Sequence, residues 1–323
     1  MQSWTLIDNK KFNLETIDKE TDLKSQAKVK ISRASISASD IAEYLGKYGE
    51  LPLVPTRSAL GLISESKSHY LQKGQRVFLT PYSKNDENLN SIRGVTSSGY
   101  LSDFANVPLE NILIIPESIK DEDATFIEDV ALAIKTFKKL EIKKTNYVLL
   151  AGCSLETIIL AQLCMYFQAI PIMVDKDDTM LSKSEEYGIY YTINPSSENP
   201  IIKINEITSG KKIDKLIINT DAFEDLDPDV LNIMAENSSI ALVGYNKSLP
   251  EMNVNISQLV EKKISIYGIN DGQNELEPAI NYLATGIIKV DSLVDHTYMF
   301  NEVPEVFYDL SSKRLRFKTL IKC

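Results

Sequence analysis

From Asn146 onward the chain repeats a pattern that few folds accommodate: a short apolar run without polar alternation, followed by a segment of helical length. "NYVLLAG" leads into "LETIILAQLCMYFQA", "IPIMVD" into "DTMLSKSEEYG", and "IDKLIINT" into "LDPDVLNIMAEN". "SSIALVGYN" and "KKISIYGI" then supply two more strands, and "NELEPAINYLATGII" one more helix. A strand that is apolar on both sides must be covered on both, and helices linking parallel strands provide the cover. The expected class is α/β, with a doubly wound parallel sheet over residues 143–289.

The first third reads differently. "AKVKISRASIS" alternates Val29, Ile31 and Ile36 with polar neighbours, and "QRVFLTPY" and "NILIIP" are short apolar runs ending in turn residues. "SKNDENLNSIRGVTSSG" between them has the composition of an exposed loop. "DEDATFIEDVALAIKTFKKLEIKK" carries acids in its first turn and lysines at its end, as a helix dipole prefers. The final stretch returns to short strands around one helix. A β-rich domain of residues 1–142 completed by 290–323 is therefore expected beside the α/β domain, with a cleft for a small-molecule ligand between them.

Composition narrows the partners. A hydrophobic fraction of 43% and a charged fraction of 25% are those of a globular chain, and the net charge of -10 excludes nucleic acid or an anionic membrane surface as the main partner. No apolar run approaches the roughly 20 residues that span a bilayer. "MQSWTLIDNKKFNLETIDKETDLK" has no apolar signal core, so a cytoplasmic location is expected. Cys153, Cys164 and Cys323, with His69 and His296, lack the spacing of a zinc or redox site. A carboxylate-bound magnesium stays open, because acids are plentiful and have no fixed spacing.

In order and spacing the chain resembles the medium-chain dehydrogenase/reductase family of zinc alcohol and polyol dehydrogenases and quinone reductases. "KVKISRASISASDIAEYLGKYGELPLVPTRSALGLISE" is similar to the family's first core strand, its "CGICGSD" turn and its "PGHEFSG" segment, and "LQKGQRVFLTPY" to its "KGDRV" hairpin. The resemblance implies a GroES-like catalytic domain, a Rossmann-type cofactor domain, and a homodimer paired through the last parallel strand, "KKISIYGI". It also implies a member without zinc. Ser37 stands where the family has cysteine, Arg57 and Ser58 where it has histidine and glutamate, and the structural-zinc lobe contains no cysteine. Arg57 then either polarises a substrate carbonyl or pairs with an acid and fills the space of the metal. Ser39 falls at the family's hydroxyl relay with Asp40 beside it; alternatively it caps the helix that follows.

The family's cofactor fingerprint is "GxGxxG", and here the corresponding positions are Gly152, Ser154 and Thr157, with Leu155 between. Gly152 still permits a tight turn, and Ser154 is small enough for a phosphate to approach. Glu156 places a carboxylate in the first helical turn, where it would repel a pyrophosphate. Asp175 lies 23 residues after Gly152, where an acid binds the ribose hydroxyls and favours NAD(H) over NADP(H), or else caps the next helix. The resemblance adds Thr220, Gly244, Gly268 and Asn270 along the cofactor path. It also places Lys318 near the pyrophosphate, unless that lysine is merely solvated. The implied activity is hydride transfer between NAD(H) and a small polar carbonyl or alcohol. The rival is a redox-inactive member that serves as a binding or scaffold subunit.

Overall fold

The computed structural model describes residues 1–16, 22–47, 49–83, 91–219, 230–244, 254–313 and 315–323. They form two compact units, one of residues 1–128 with 290–323 and one of residues 129–289.

The first unit opens with an antiparallel hairpin of β1 (Gln2–Asp8) and β2 (Lys11–Thr16). Its main sheet is built on β3 (Gln26–Ile36), in which Ala27, Val29 and Ile31 alternate inward and are at most 1% exposed. α1 (Ala38–Tyr44) follows, then β4 (Ala59–Glu65), β5 (Arg76–Leu79), β6 (Phe104–Pro108) and β7 (Ile112–Ile114). β3 pairs antiparallel with β4 and with β6, β4 with β5, and β5 with β7. The short α2 (Asp121–Ala124) leads to α3 (Ile127–Lys139), and the boundary between the units falls in the first turn of α3.

The second unit is a six-stranded, all-parallel sheet. Its strands are β8 (Tyr147–Ala151), β9 (Ile170–Val174), β10 (Tyr191–Ile193), β11 (Ile213–Asn219), β12 (Met234–Val243) and β13 (Ser265–Ile269). The spatial order is β10-β9-β8-β11-β12-β13, so the sheet winds outward in both directions from β8 and β11. At such a reversal two loops diverge beyond the strand ends and leave a crevice, which is where doubly wound sheets bind ligands. α4 (Leu155–Tyr166), α5 (Asp178–Glu186), α6 (Pro200–Thr208), α7 (Ile256–Lys262) and α8 (Leu276–Ala284) complete the unit. Lys135 and Lys138 of α3 pair with Asp271 and Glu275, each at 2.6 Å, and Gly272 lies so close to Ala131 and Leu132 that a Cβ would overlap their backbone.

One element differs from the expectation. "LDPDVLNIMAEN" was expected to be helical, but Val230–Ile233 form a single 3-10 turn and Met234 already begins β12. Residues 226–229 lie outside the described part. The apolar residues Val230, Leu231, Ile233 and Met234 fit a helical face in sequence, yet Met234 pairs with Ile213 in the sheet and leaves room for only the short turn before it. The chain then returns to the first unit through β14 (Val294–Met299), α9 (Val303–Leu310) and β15 (Lys318–Lys322), and β15 docks on β3. Val303, Val306, Phe307 and Leu310 form the buried stripe of α9, and Phe307 meets Phe12 edge-on at 4.8 Å. Among the described residues no helix is long and apolar enough to cross a membrane.

The backbone around Arg57 is held by a close approach. A Cβ on Gly99 would overlap the carbonyl oxygens of Pro55 and Thr56, and both are backbone atoms that cannot swing aside. Gly99→Ala is expected to lower the unfolding free energy by about 1–3 kcal/mol. Urea denaturation measures this; an unchanged midpoint would show that the segment yields without cost.

Candidate active site and cofactor turn

In the first unit the functional side chains gather at the start of α1 and on the segment after Pro55. Ser37, not Ser39, is the N-cap of α1. Its backbone N–H donates to Asp40 Oδ2 at 2.8 Å and its hydroxyl donates to the same oxygen at 2.5 Å. The Ser37 and Ser39 hydroxyls are 2.7 Å apart, which makes a continuous chain from Ser39 through Ser37 to Asp40. The backbone N–H of Thr56 donates to Asp40 Oδ1 at 2.7 Å. Asp40 is fully buried. Its burial raises its pKa, and the hydrogen bonds from Ser37 and Thr56, with the charge of Arg57, oppose that rise.

Arg57 is 7% exposed. Its Nη2 donates to the Tyr82 hydroxyl at 2.9 Å and to Glu128 Oε1 at 3.0 Å, and Tyr82 donates to the same Glu128 oxygen at 3.0 Å. A guanidinium, a phenol and a carboxylate therefore form a closed triangle from three separated parts of the chain. The acid that pairs with Arg57 is Glu128 and not Asp40. Ser58, at the other expected ligand position, is 3% exposed. Among the described residues no group of three or more His, Cys, Asp or Glu side chains is arranged to hold a metal ion.

Glu43, one turn beyond Asp40, went unnoticed in the sequence. It is 1% exposed, and neither carboxyl oxygen has a hydrogen-bond partner among the described residues. Burial pushes its pKa up to about 9, the charge of Asp40 adds to the rise, and Arg57 opposes it. Lys318 lies in the same unit, 6% exposed, donating to the Thr125 carbonyl at 2.8 Å with its ammonium 5.0 Å from the Phe126 ring. It is a buried lysine rather than a solvated one.

In the second unit β8 ends in the turn that carries the fingerprint. Gly152 has φ +86°, a left-handed value that glycine adopts without strain, and its N–H donates to the Val174 carbonyl at 2.8 Å. Ser154 is the N-cap of α4 in a reciprocal box with Thr157, and Leu155 is the first helical residue. Asp175 is fully buried; its Oδ2 accepts from the backbone N–H of Cys153 at 2.7 Å and its Oδ1 from that of Asp177 at 2.9 Å. The cap of the next helix is Asp177. Gly244 donates its N–H to the Ile269 carbonyl at 3.1 Å. Gly268 faces open space, Asn270 is exposed, and Thr220 lies outside the described residues.

Asn219, the last residue of β11, stands directly before the expected Thr220. Its Nδ2 donates to Ser154 Oγ at 2.9 Å and to Glu156 Oε2 at 2.8 Å, and Ser154 Oγ donates to the same carboxylate oxygen at 2.8 Å. A carboxylate thus sits at the N-terminus of α4, held as an external anion would be. Glu156 Oε2 takes up the side-chain donors of Ser154 and Asn219, a pair of the kind that also suits a phosphate oxygen. By that test the turn fits the pyrophosphate of a dinucleotide, on condition that its own carboxylate gives way.

Comparison with known proteins bears on the fold. A family model described as the alcohol dehydrogenase GroES-like domain matches residues 24–117, and one described as zinc-binding dehydrogenase matches residues 157–285. An uncharacterized zinc-type alcohol dehydrogenase-like protein of Haemophilus influenzae is 24% identical over 301 residues, covering 88% of this chain and 87% of its own. A protein of Sinorhizobium meliloti 1021 described as a zinc-binding dehydrogenase, bound to NADP, superposes with a TM-score of 0.89 at 16% identity, covering 100% of this chain and 99% of its own. A short chain alcohol dehydrogenase, RspB, of Escherichia coli CFT073 complexed with NADH superposes with a TM-score of 0.86 at 22% identity and the same coverage. The architecture is therefore a GroES-like domain with a parallel Rossmann sheet.

Glu43 gives the first unit a pH dependence of definite sign. Its carboxyl keeps its proton in the folded state up to about 9, whereas the ordinary value is 4.5. Between those values the folded state binds the extra proton, so this contribution to stability is complete below the lower value and is lost as pH rises to the upper one. Wild-type stability should fall by about 1 kcal/mol per pH unit more steeply than that of Glu43→Gln across this window. Urea titrations at several pH values measure the difference; parallel slopes for the two proteins would refute it.

Proposed function

The chain belongs to the medium-chain dehydrogenase/reductase superfamily, and from that premise we propose an NAD(H)-dependent oxidoreductase that acts without zinc on a small polar carbonyl or alcohol. The observation that carries this reading is the hydrogen-bonded chain from Ser39 through Ser37 to the buried Asp40, a path for a hydroxyl proton. Arg57 stands at a position where the family's motif has a metal ligand, and its guanidinium is held at 3.0 Å from a carboxylate and 2.9 Å from a phenol. A fixed cation can take over the metal's task of favouring negative charge on a substrate oxygen. In the alcohol-to-carbonyl direction Ser39 Oγ takes the substrate's hydroxyl proton as its own passes to Ser37 Oγ, and the Ser37 proton passes to Asp40 Oδ2, where it stays.

When bound, the nicotinamide cofactor supplies or accepts the hydride. In this reading Gly152, Ser154, Leu155 and Asn219 hold its pyrophosphate and Asp175 its ribose hydroxyls. Gly244, Gly268, Asn270 and Thr220 border its path. An acid at the ribose favours NAD(H) over NADP(H). The NADH and NADP held by the two solved relatives support a nicotinamide cofactor in general terms. A second reading, a redox-inactive binding or scaffold subunit, is favoured by the carboxylate of Glu156 inside the cofactor turn.

Titration of NADH fluorescence separates the two. The oxidoreductase reading expects saturable binding that Asp175→Ala weakens, and a carbonyl-dependent NADH oxidation that Arg57→Leu reduces by about a hundredfold, the usual scale for removing one electrostatic contact to a developing charge. Absence of NADH binding by the wild type and by Glu156→Gln alike would move the assignment to the second reading.

We also propose a homodimer through β13, the outer strand of the parallel sheet. Ile266 on that strand is 38% exposed, and a bare strand edge of this kind invites pairing. Light scattering at micromolar concentration is expected to give twice the chain mass; the mass of one chain would refute the dimer.

A further inference from the structure

Three donor hydrogens converge at the N-terminus of α4, and the protein spends all of them on itself. A serine hydroxyl has one hydrogen to donate and a carboxamide has two. Ser154 Oγ gives its hydrogen to Glu156 Oε2 at 2.8 Å. Asn219 Nδ2 gives one to Ser154 Oγ at 2.9 Å and the other to Glu156 Oε2 at 2.8 Å. A phosphate arriving at this turn would meet oxygens that face it with lone pairs and a negative charge in the place it must enter.

We propose that Glu156 is an intramolecular competitor of the cofactor: its carboxylate closes the turn, and it must swing away before a dinucleotide's pyrophosphate can take over Ser154 and Asn219. This rests on the cofactor reading above. The carboxylate cannot retreat inward. A cavity beside it, lined by Glu156, Thr157, Asn219, Thr136, Ile217 and Val243 among others, has a volume of about 10 Å³, no more than one water requires. Glu156 is itself half-buried, so its way out is toward solvent. Opening exchanges one anion for another at the same donors, which leaves only the surplus of the phosphate's contacts as binding affinity. Thr157, in place of the third fingerprint glycine, serves the closed form. Its hydroxyl accepts from the Ser154 N–H at 2.9 Å and donates to the Gly152 carbonyl at 2.7 Å, fixing the cap that aims Ser154 at Glu156.

The test is NADH fluorescence titration of the full chain as wild type, Glu156→Gln, Glu156→Ala and Glu156→Asp. Removing the charge in the Gln and Ala variants is expected to tighten binding about fivefold, the scale of one partly screened like-charge contact. The gain should shrink as salt is raised. Glu156→Asp keeps the charge and should stay near the wild-type affinity. Tight binding by the Gln or Ala variant where the wild type shows none would support the proposal most directly. Equal affinity in all four proteins would overturn it and leave the oxidoreductase reading standing. If none of the four binds NADH, the cofactor reading falls and the proposal with it. Thermal melts of each variant, run alongside, establish that a folded protein is being titrated, and the Ala variant carries the test should the Gln variant not fold.

Discussion

A guanidinium taken out of water must be paired, and the pairing of Arg57 with Glu128 organises much of the first unit. An unpaired charge in that position would cost several kcal/mol, far more than the net value of the finished pair. The two residues are 71 positions apart, and Tyr82 between them comes from a third segment. Closing this triangle requires the Thr56–Arg57 backbone to sit against Gly94 and Gly99, with Thr56 itself at φ +68°. The same backbone presents the Thr56 N–H to Asp40, and Asp40 in turn anchors the Ser37 cap. A single buried charge and its partner thus reach through the peptide chain to the start of α1.

The second unit meets the same constraint with the signs reversed. The amides at the end of β8 and the start of α4 are donors in search of acceptors. Asp175 takes the N–H of Cys153, Thr157 takes that of Ser154, and Glu156 draws in the side chains around the helix end. In both units, buried donors and charges are satisfied by the chain's own ionic and polar groups.

The fold was legible because strands apolar on both faces have few ways to be buried, and β8, β9, β11, β12 and β13 all follow from that pattern. The helix expected at "LDPDVLNIMAEN" failed for the converse reason: four apolar residues in a short span fit either period, and sheet pairing at Met234 decided between them. Of the site, Ser37, Asp40, Arg57 and Asp175 could be picked out because a motif spacing marks them. Tyr82 and Asn219 could not, since their roles depend on partners 46 and 63 positions away. Glu43 carried a faint signal, an acid three residues after Asp40 on a helix whose other members are mostly apolar. Its burial against Asp40 rather than in solvent is set by tertiary packing alone.

The ties between α3 and the turn before α8 bear on where this chain can be cut. Lys135 and Lys138 neutralise Asp271 and Glu275, which are 7% and 9% exposed, and Gly272 accepts the helix backbone directly. A fragment that began after α3, at the first residues of β8, would keep both acids and lose both lysines. It would also open the groove that Gly272 keeps clear. A fragment that starts ahead of Ile127 carries its own counter-charges, and it is that longer piece which has the makings of an autonomous folding unit.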